Sequence, residues 1–263
     1  MMLTKKKTKL PINVLVNHLK KYKDAVIVLG PDILGEFKQC EINEETYDSY
    51  NRKLMIKEPN KFWNFYVDEV MNPLAINNEI TIQLNKLFGM NIHSNIIDTN
   101  IVKTIINTET RNDLISPNGK NNKLECVKCH KTFEAHKMIN DLVSIDKTLK
   151  CECGGNIKPT VLYHGERYNM NMYKAVKDAI FKEENDKPEL NTHTLIFIGV
   201  DFTDSLISEL IDSYDALKTD NHLTVIMTDK LNRDDCLYYN PEFGVADDLD
   251  QALSRLMTLL KQE

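Results

Sequence analysis

Five short apolar runs are spread through the chain: Ala25 to Leu29, Ser94 to Ile97, Thr160 to Tyr163, Leu195 to Val200 and Leu223 to Met227. A strand with one face in water alternates apolar and polar side chains, whereas a continuous apolar run is covered on both faces. Helix-period segments lie between most of these runs. The last, Ala246 to Leu260, puts Ala246, Leu249, Ala252, Leu253, Leu256 and Leu260 on one face. A second starts near Asp204 and carries Leu206, Ile207, Leu210 and Ile211. Strands alternating with helices predict an α/β fold, a doubly wound parallel sheet.

Two segments break the alternation. From about Phe37 to Pro73 the chain reads as helical and aromatic-rich, with Phe62, Trp63, Phe65 and Tyr66 close together as a core stripe. From about Pro117 to Gly165 it is polar and carries four paired cysteines. The expected organisation is a large sheet domain over residues 1–36, 74–116 and 166–263. A helical module, 37–73, and a zinc-binding module, 117–165, interrupt it. Glu183 to Asn191, charged and containing a proline, reads as a solvated loop.

At 263 residues the chain is long enough for a sizeable core. Its formal net charge of −6 offers no positive field for phosphates, so nucleic acid is not an expected partner. No run of about 18 apolar residues is present, so no membrane partner is expected either. The basic start (Lys5, Lys6, Lys7, Lys9) is not followed by a small-residue cleavage site, and a reduced cytoplasmic setting is expected. Nine glycines are about half the usual share. Neither G-x-G-x-x-G nor G-x-x-x-x-G-K-[ST] occurs, which removes two common phosphate cradles.

The cysteines Cys126 and Cys129 form one close pair, and Cys151 and Cys153 another; Cys40 and Cys236 stand alone. Two close thiolate pairs supply the four borderline-soft ligands of a Zn²⁺ tetrahedron. His130, His136 or His164 could replace one of them, though none is needed. A site closed by four cysteines leaves no position for water, so the expected zinc is structural.

The residues after the second pair, Cys153-Gly154-Gly155-Asn156-Ile157-Lys158-Pro159-Thr160-Val161-Leu162-Tyr163-His164-Gly165-Glu166, resemble the sirtuin motif C-G-G-x-[LI]-[RK]-P-x-V-V-x-F-G-E. Other segments agree in order. Glu58-Pro59, Phe62-Trp63, Phe65-Tyr66 and Pro73 are similar to the family's helical region. Ile196-Phe197-Ile198-Gly199 and Thr224-Val225-Ile226-Met227 are similar to two of its strands. The resemblance implies a Rossmann-like large domain with a smaller zinc-ribbon and helical module. It also implies NAD-dependent protein deacylase or ADP-ribosyltransferase chemistry. Sirtuins bind acyl-peptides by strand addition, which here would fall near Val161 to Tyr163.

The positions that carry that chemistry depart from the family. Its catalytic His-Gly pair aligns with Asn118-Gly119, and an amide cannot act as the general base on a ribose hydroxyl. Its Q-N-I-D motif is Asn95-Ile96-Ile97-Asp98, so Asp98 is retained as a candidate catalytic or cofactor-facing residue, or else a strand-end cap. Gly30 and Gly199 are the residual cofactor-binding candidates at the ends of their strands. The family's G-A-G-x-S loop is replaced by Gly30-Pro31-Asp32-Ile33-Leu34, and its G-T-S-L by Gly199-Val200-Asp201-Phe202. A carboxylate about 4 Å from a phosphate costs roughly 4 kcal/mol at an effective dielectric near 20, about a thousandfold in affinity. NAD binding is therefore in doubt. The expectation is a sirtuin-fold protein with structural zinc and a degenerate NAD pocket, acting in recognition of a protein or peptide. A divergent NAD-dependent deacylase or ADP-ribosyltransferase is the alternative. Oligomeric state is not legible.

Overall fold

The computed structural model describes residues 12–34, 40–42, 45–47, 52–67, 79–90, 92–100, 114–142, 149–163, 166–184, 187–200, 204–227, 243–245 and 249–262. In chain order, α1 (Ile12–Tyr22) precedes β1 (Asp24–Leu29) and a short 3-10 helix over Pro31–Leu34. Next come the hairpin strands β2 (Cys40–Ile42) and β3 (Glu45–Tyr47), then α2 (Arg52–Lys57), α3 (Pro59–Phe65) and α4 (Glu79–Phe88). β4 (His93–Asp98) and β5 (Leu114–Ile115) are followed by β6 (Lys123–Cys126), β7 (Thr132–Glu134), α5 (Ala135–Leu142) and β8 (Ile157–Pro159). The chain continues through α6 (Met170–Ile180), β9 (Phe181–Glu184), β10 (Lys187–Leu190), β11 (Thr194–Ile198) and α7 (Ser205–Leu217). It ends with β12 (Leu223–Met227), β13 (Phe243–Val245) and α8 (Leu249–Lys261).

Six strands form one parallel sheet in the order β13-β12-β11-β1-β4-β5. Its central strands β1, β11 and β12 are largely apolar because each face has its own helical cover. Ala25, Ile27, Leu29, Ile96, Ile196, Ile198, Leu223, Val225 and Met227 meet α1, α4 and α8. The intervening Val26, Val28, Ile97, Leu195, Phe197 and Ile226 meet α6 and α7 on the other side. The helices show the matching stripe: α8 buries Leu249, Ala252, Leu253, Leu256 and Leu260. Helix α7 starts where Asp204 caps it, Oδ1 accepting from the Leu206 N–H at 2.8 Å. Strand order reverses direction about β1 and β11, which makes their carboxyl ends the switch point of the sheet.

The two interrupting segments pack into one second core rather than standing apart. Phe62, Trp63, Phe65 and Tyr66 of α3 and its end meet Leu124, Cys126, Ala135, Cys151, Ile157, Val161 and Tyr163. Pro59 at the first turn of α3 costs that helix nothing, since its absent N–H would have had no partner there.

Three local expectations need correction, and two short strands come in addition. Thr160 to Tyr163 is not a strand: Thr160 donates to Lys123 O and Leu162 to Asn118 O, two different partners, so no ladder repeats; the strand is β8, just before it. The segment from Phe37 is not wholly helical, since β2 and β3 pair antiparallel within it. The stretch from Glu183 is not a plain loop but lies in the β9–β10 hairpin, where Pro188 pairs with Glu183 on a two-stranded sheet. β5 and β13, of two and three residues, were too short to leave an apolar run. Ala246 lies outside the described residues.

At the amino end of the sheet three histidines gather, far from the carboxyl ends. The His193 ring stacks between Tyr22 and His222, with centroids 4.2 and 5.5 Å away, and its Nδ1 lies 2.6 Å from Asp24 Oδ2. Burial first, and then the neighbouring His193, holds His222 below the ordinary imidazole value of about 6.5. Burial likewise lowers His18, partly offset by the His193 carbonyl. A group depressed in the folded state is protonated first in the unfolded chain, so stability is lost as pH falls through and below about 6.5. The unfolding midpoint in urea should therefore drop between about pH 7.5 and pH 5.5, and a His18→Gln/His222→Gln variant should show a flatter profile. An equally steep profile in that variant would remove these two side chains as the cause.

Candidate functional site

The four paired cysteines converge. Their sulfurs all lie within 4.8 Å of one another, with Cys126–Cys153 at 3.5 Å and Cys129–Cys151 at 3.7 Å. Zn–S bonds of about 2.3 Å in a tetrahedron put sulfurs roughly 3.8 Å apart, so four thiols that all lie within 4.8 Å of one another are close enough to share one zinc ion. The β6 end and the turn after it bring the first pair; the turn before β8 brings the second. The backbone N–H of Cys129, and then that of Lys128 at 3.4 Å, aim at the Cys126 sulfur and pull its thiol down to about 6. Cys129 moves the other way: against the Lys131 N–H, the Cys153 sulfur and burial push its thiol up to about 12, so a metal would have to displace that proton. His130 and His136 are exposed, and His164 lies outside the described residues, as does Cys236.

The carboxyl ends of β11, β1 and β4 bring Gly199, Gly30 and Asp98 side by side. Leu29 is in register with Ile198 on one side and with Asp98 on the other. A Cβ on Gly30 would fall 2.2 Å from Gly199 O and 2.3 Å from Val200 Cα. The glycine therefore lets two backbones touch, and its N–H is spent on Ile198 O at 2.9 Å. After it the chain turns into the 3-10 helix, where Pro31 has no N–H to give and Ile33 is fully buried. Asp201, Phe202 and the side chains of Asp32 and Leu34 lie outside what the structure describes.

Asp98 is fully buried, and its partners are internal. Oδ1 accepts from the Asn100 backbone N–H at 3.0 Å and from Asn100 Nδ2 at 2.8 Å; Oδ2 takes the Lys120 ammonium at 2.5 Å. Lys120 also donates to Asn100 O at 3.0 Å. Breaking a buried pair of this kind by removing one partner costs about 3–5 kcal/mol, because the other charge is stranded.

Asn118 and Lys120 flank Gly119, whose φ of +74° and whose Cα approach to Thr160 O (an added Cβ would lie 2.1 Å away) lock the turn. Asn118 Nδ2 donates to Thr99 O at 2.8 Å, which orients the amide, and its Oδ1 is buried with no hydrogen-bond partner among the described residues. Both side chains border a cavity of about 650 Å³, together with Lys158, Leu162, Glu166 and Met172 among others. Lys158 is balanced by Glu125 at 3.4 Å and Glu166 at 3.3 Å. No histidine is among the described residues lining it. Lys120 and Asn100 carried no sequence signal; an isolated lysine after a glycine has no spacing that announces a buried partner.

With this geometry in view, residues 33–186, more than half of the chain, match the family model described as the Sir2 family. The chain belongs to the Sir2 family. It is 32% identical over 117 residues to an NAD-dependent protein deacetylase of Sulfurisphaera tokodaii, covering 44% of this chain and 46% of that protein. It is 31% identical over 126 residues to one of Clostridium perfringens, covering 48% and 50%. The match thus spans about half the length of these curated relatives. Among solved structures, a Sir2 bound to acetylated peptide superposes with a TM-score of 0.73 at 17% identity, over 95% of this chain and 98% of that one. A Sir2–p53 peptide–NAD+ complex gives 0.73 at 16%, with the same coverage. At such identity these neighbours establish the Sir2 fold. No helix among the described residues is long and apolar enough to cross a membrane.

Proposed function

We propose that this Sir2-family chain is a recognition protein that keeps the zinc-braced scaffold and does not carry out NAD-dependent chemistry. Asn118 carries the proposal. It stands where the sirtuin resemblance requires a titratable base, and its amide nitrogen is committed to Thr99 O. Among the residues around it, Glu125 and Glu166 are held by Lys158, and Asp98 by Lys120. The residues at the strand ends do not fit NAD well. The Cβ direction of Gly30 is filled by Gly199 backbone, Pro31 offers no donor, and Asp98 has its acceptors taken. Zinc fits, and its role here is structural: the four cysteines close the tetrahedron.

The partner is a peptide laid beside Val161–Tyr163. Leu162 already donates to Asn118 O and Tyr163 to Glu166 Oε2 at 3.2 Å. A partner strand would therefore leave the Leu162–Asn118 bond in place and take the Tyr163 N–H over from the Glu166 side chain. Exposed Met170 and Met172 at the start of α6 offer apolar surface near the cavity. A second reading, a divergent deacylase or ADP-ribosyltransferase, draws on relatives named as NAD-dependent protein deacetylases and on the retained Asp98.

Calorimetric titration with NAD+ and ADP-ribose, beside a nicotinamide-release assay on an acetyl-lysine peptide, tests the choice. The expected result is dissociation constants weaker than about 1 mM for NAD+, less than about 4 kcal/mol of binding, and no release. Micromolar NAD+ binding with nicotinamide released from the wild type, and lost in Asn118→Ala, would establish the second reading instead.

A further inference from the structure

We propose that Lys120 is a built-in counter-ion that closes Asp98 to cationic ligands and makes the cavity it borders discriminate by charge. The inference rests on the reading above that this pocket is a degenerate nucleotide site. Asp98 ends β4, the strand beside β1, and its side chain is fully buried. A carboxylate there needs a positive charge and filled lone pairs. A pocket built to receive a cation would leave that charge to the ligand. In this chain Lys120 supplies it from within, while the two Asn100 donors fill Oδ1.

The ammonium is held in place by the backbone on both sides. Gly119 is locked against Thr160 O, and Thr160 Oγ1 donates to Lys120 O at 3.0 Å. Its second hydrogen bond, to Asn100 O, points it inward along β4. The Lys120 side chain is still 18% exposed and borders the cavity, so it sets a positive charge in the wall and stands between the cavity and the buried Asp98 behind it. A ligand that brings a cationic ring beside Lys120 is repelled by the ammonium; an uncharged ring is not.

NAD+ and NADH differ in the charge of one ring and serve as the probes, with ADP-ribose as the ringless control. The wild type is expected to bind NAD+ no more tightly than NADH. Lys120→Met should shift that ratio about tenfold or more toward NAD+, and Lys120→Arg, which keeps the charge, should behave as the wild type. Because the stranded carboxylate can unfold the methionine variant, Lys120→Gly is also heated with propylammonium chloride or sodium chloride at equal concentration. Propylammonium should raise its melting temperature and leave the wild type unmoved. An unchanged NAD+/NADH ratio in a folded Lys120→Met, or no nucleotide binding by it, overturns the proposal. So does the absence of propylammonium rescue in Lys120→Gly. Micromolar NADH binding by the wild type, with NAD+ bound more weakly, would sink the reading of a degenerate site and leave this inference standing; NAD+ bound more tightly than NADH by the wild type would overturn it.

Discussion

Cys126→Ser is expected to lose zinc and to melt the smaller core while the parallel sheet survives. Cys126 is fully buried and belongs to the same cluster as Cys151, Phe62, Trp63 and Tyr163. No member of that cluster belongs to either core flanking the sheet. The β6 and β8 strands that frame the cysteines pair over only three residues, too few to hold the lobe alone. A structural zinc ion contributes binding free energy directly to folding, so losing one thiolate should cost about 4 kcal/mol or more. The single tryptophan of the chain, Trp63, sits in this cluster and reports on it without a label. Elemental analysis should fall from about one Zn²⁺ per chain to none. Trp63 emission should shift to the red, and chelation of the wild type should do the same. Trp63 emission that is indifferent to chelator would mean that the metal does not hold this core.

Gly30→Ala should destabilise the sheet itself. The new methyl carbon would lie 2.2 Å from Gly199 O and 2.3 Å from Val200 Cα, both backbone atoms. No side chain can swing away, so the central strands β1 and β11 would have to part just where Gly30 N–H meets Ile198 O. Overpacking of this kind is expected to cost about 3 kcal/mol, roughly a 10 °C fall in melting temperature for a domain of this size. Gly154→Ala is the control. Its φ of +79° makes alanine unfavourable by roughly 1–2 kcal/mol, but a Cβ there would meet nothing within 4 Å. Gly30 has no such left-handed backbone, so a loss at Gly30 no larger than that at Gly154 would mean that the two strands part at little cost.

These results bear differently on what the residue order revealed. The buried strands were legible because alternate residues of β1, β4, β11 and β12 face two separate helical layers, which leaves no polar alternation. The stripes of α7 and α8 were legible for the same reason, with a period of 3.6 in place of 2. The thiolate pairs were legible because a metal tetrahedron demands ligands at close spacing in the chain. The misread Thr160–Tyr163 is instructive. Val161 and Tyr163 are buried as a strand's would be, yet the backbone bonds go to two different partners. Hydrophobicity reports burial; it does not report where hydrogen bonds go.

Asp98 and Asn118 were visible as candidates, but their circumstances were not. Asp98 and Lys120 are 22 positions apart, and nothing in either neighbourhood marks them as partners. Their contact depends on a turn held by Gly119 against Thr160 O, and on β4 lying beside β1. Glycine scarcity likewise pointed to the loop after β1, whereas the role of Gly30 itself came only from its distance to Gly199. Periodicity and ligand spacing are properties of neighbours along the chain, so an ordered list of residues carries them in full. The charge that meets a buried carboxylate is decided by which distant turn packs against it, and that exists only once the chain has folded.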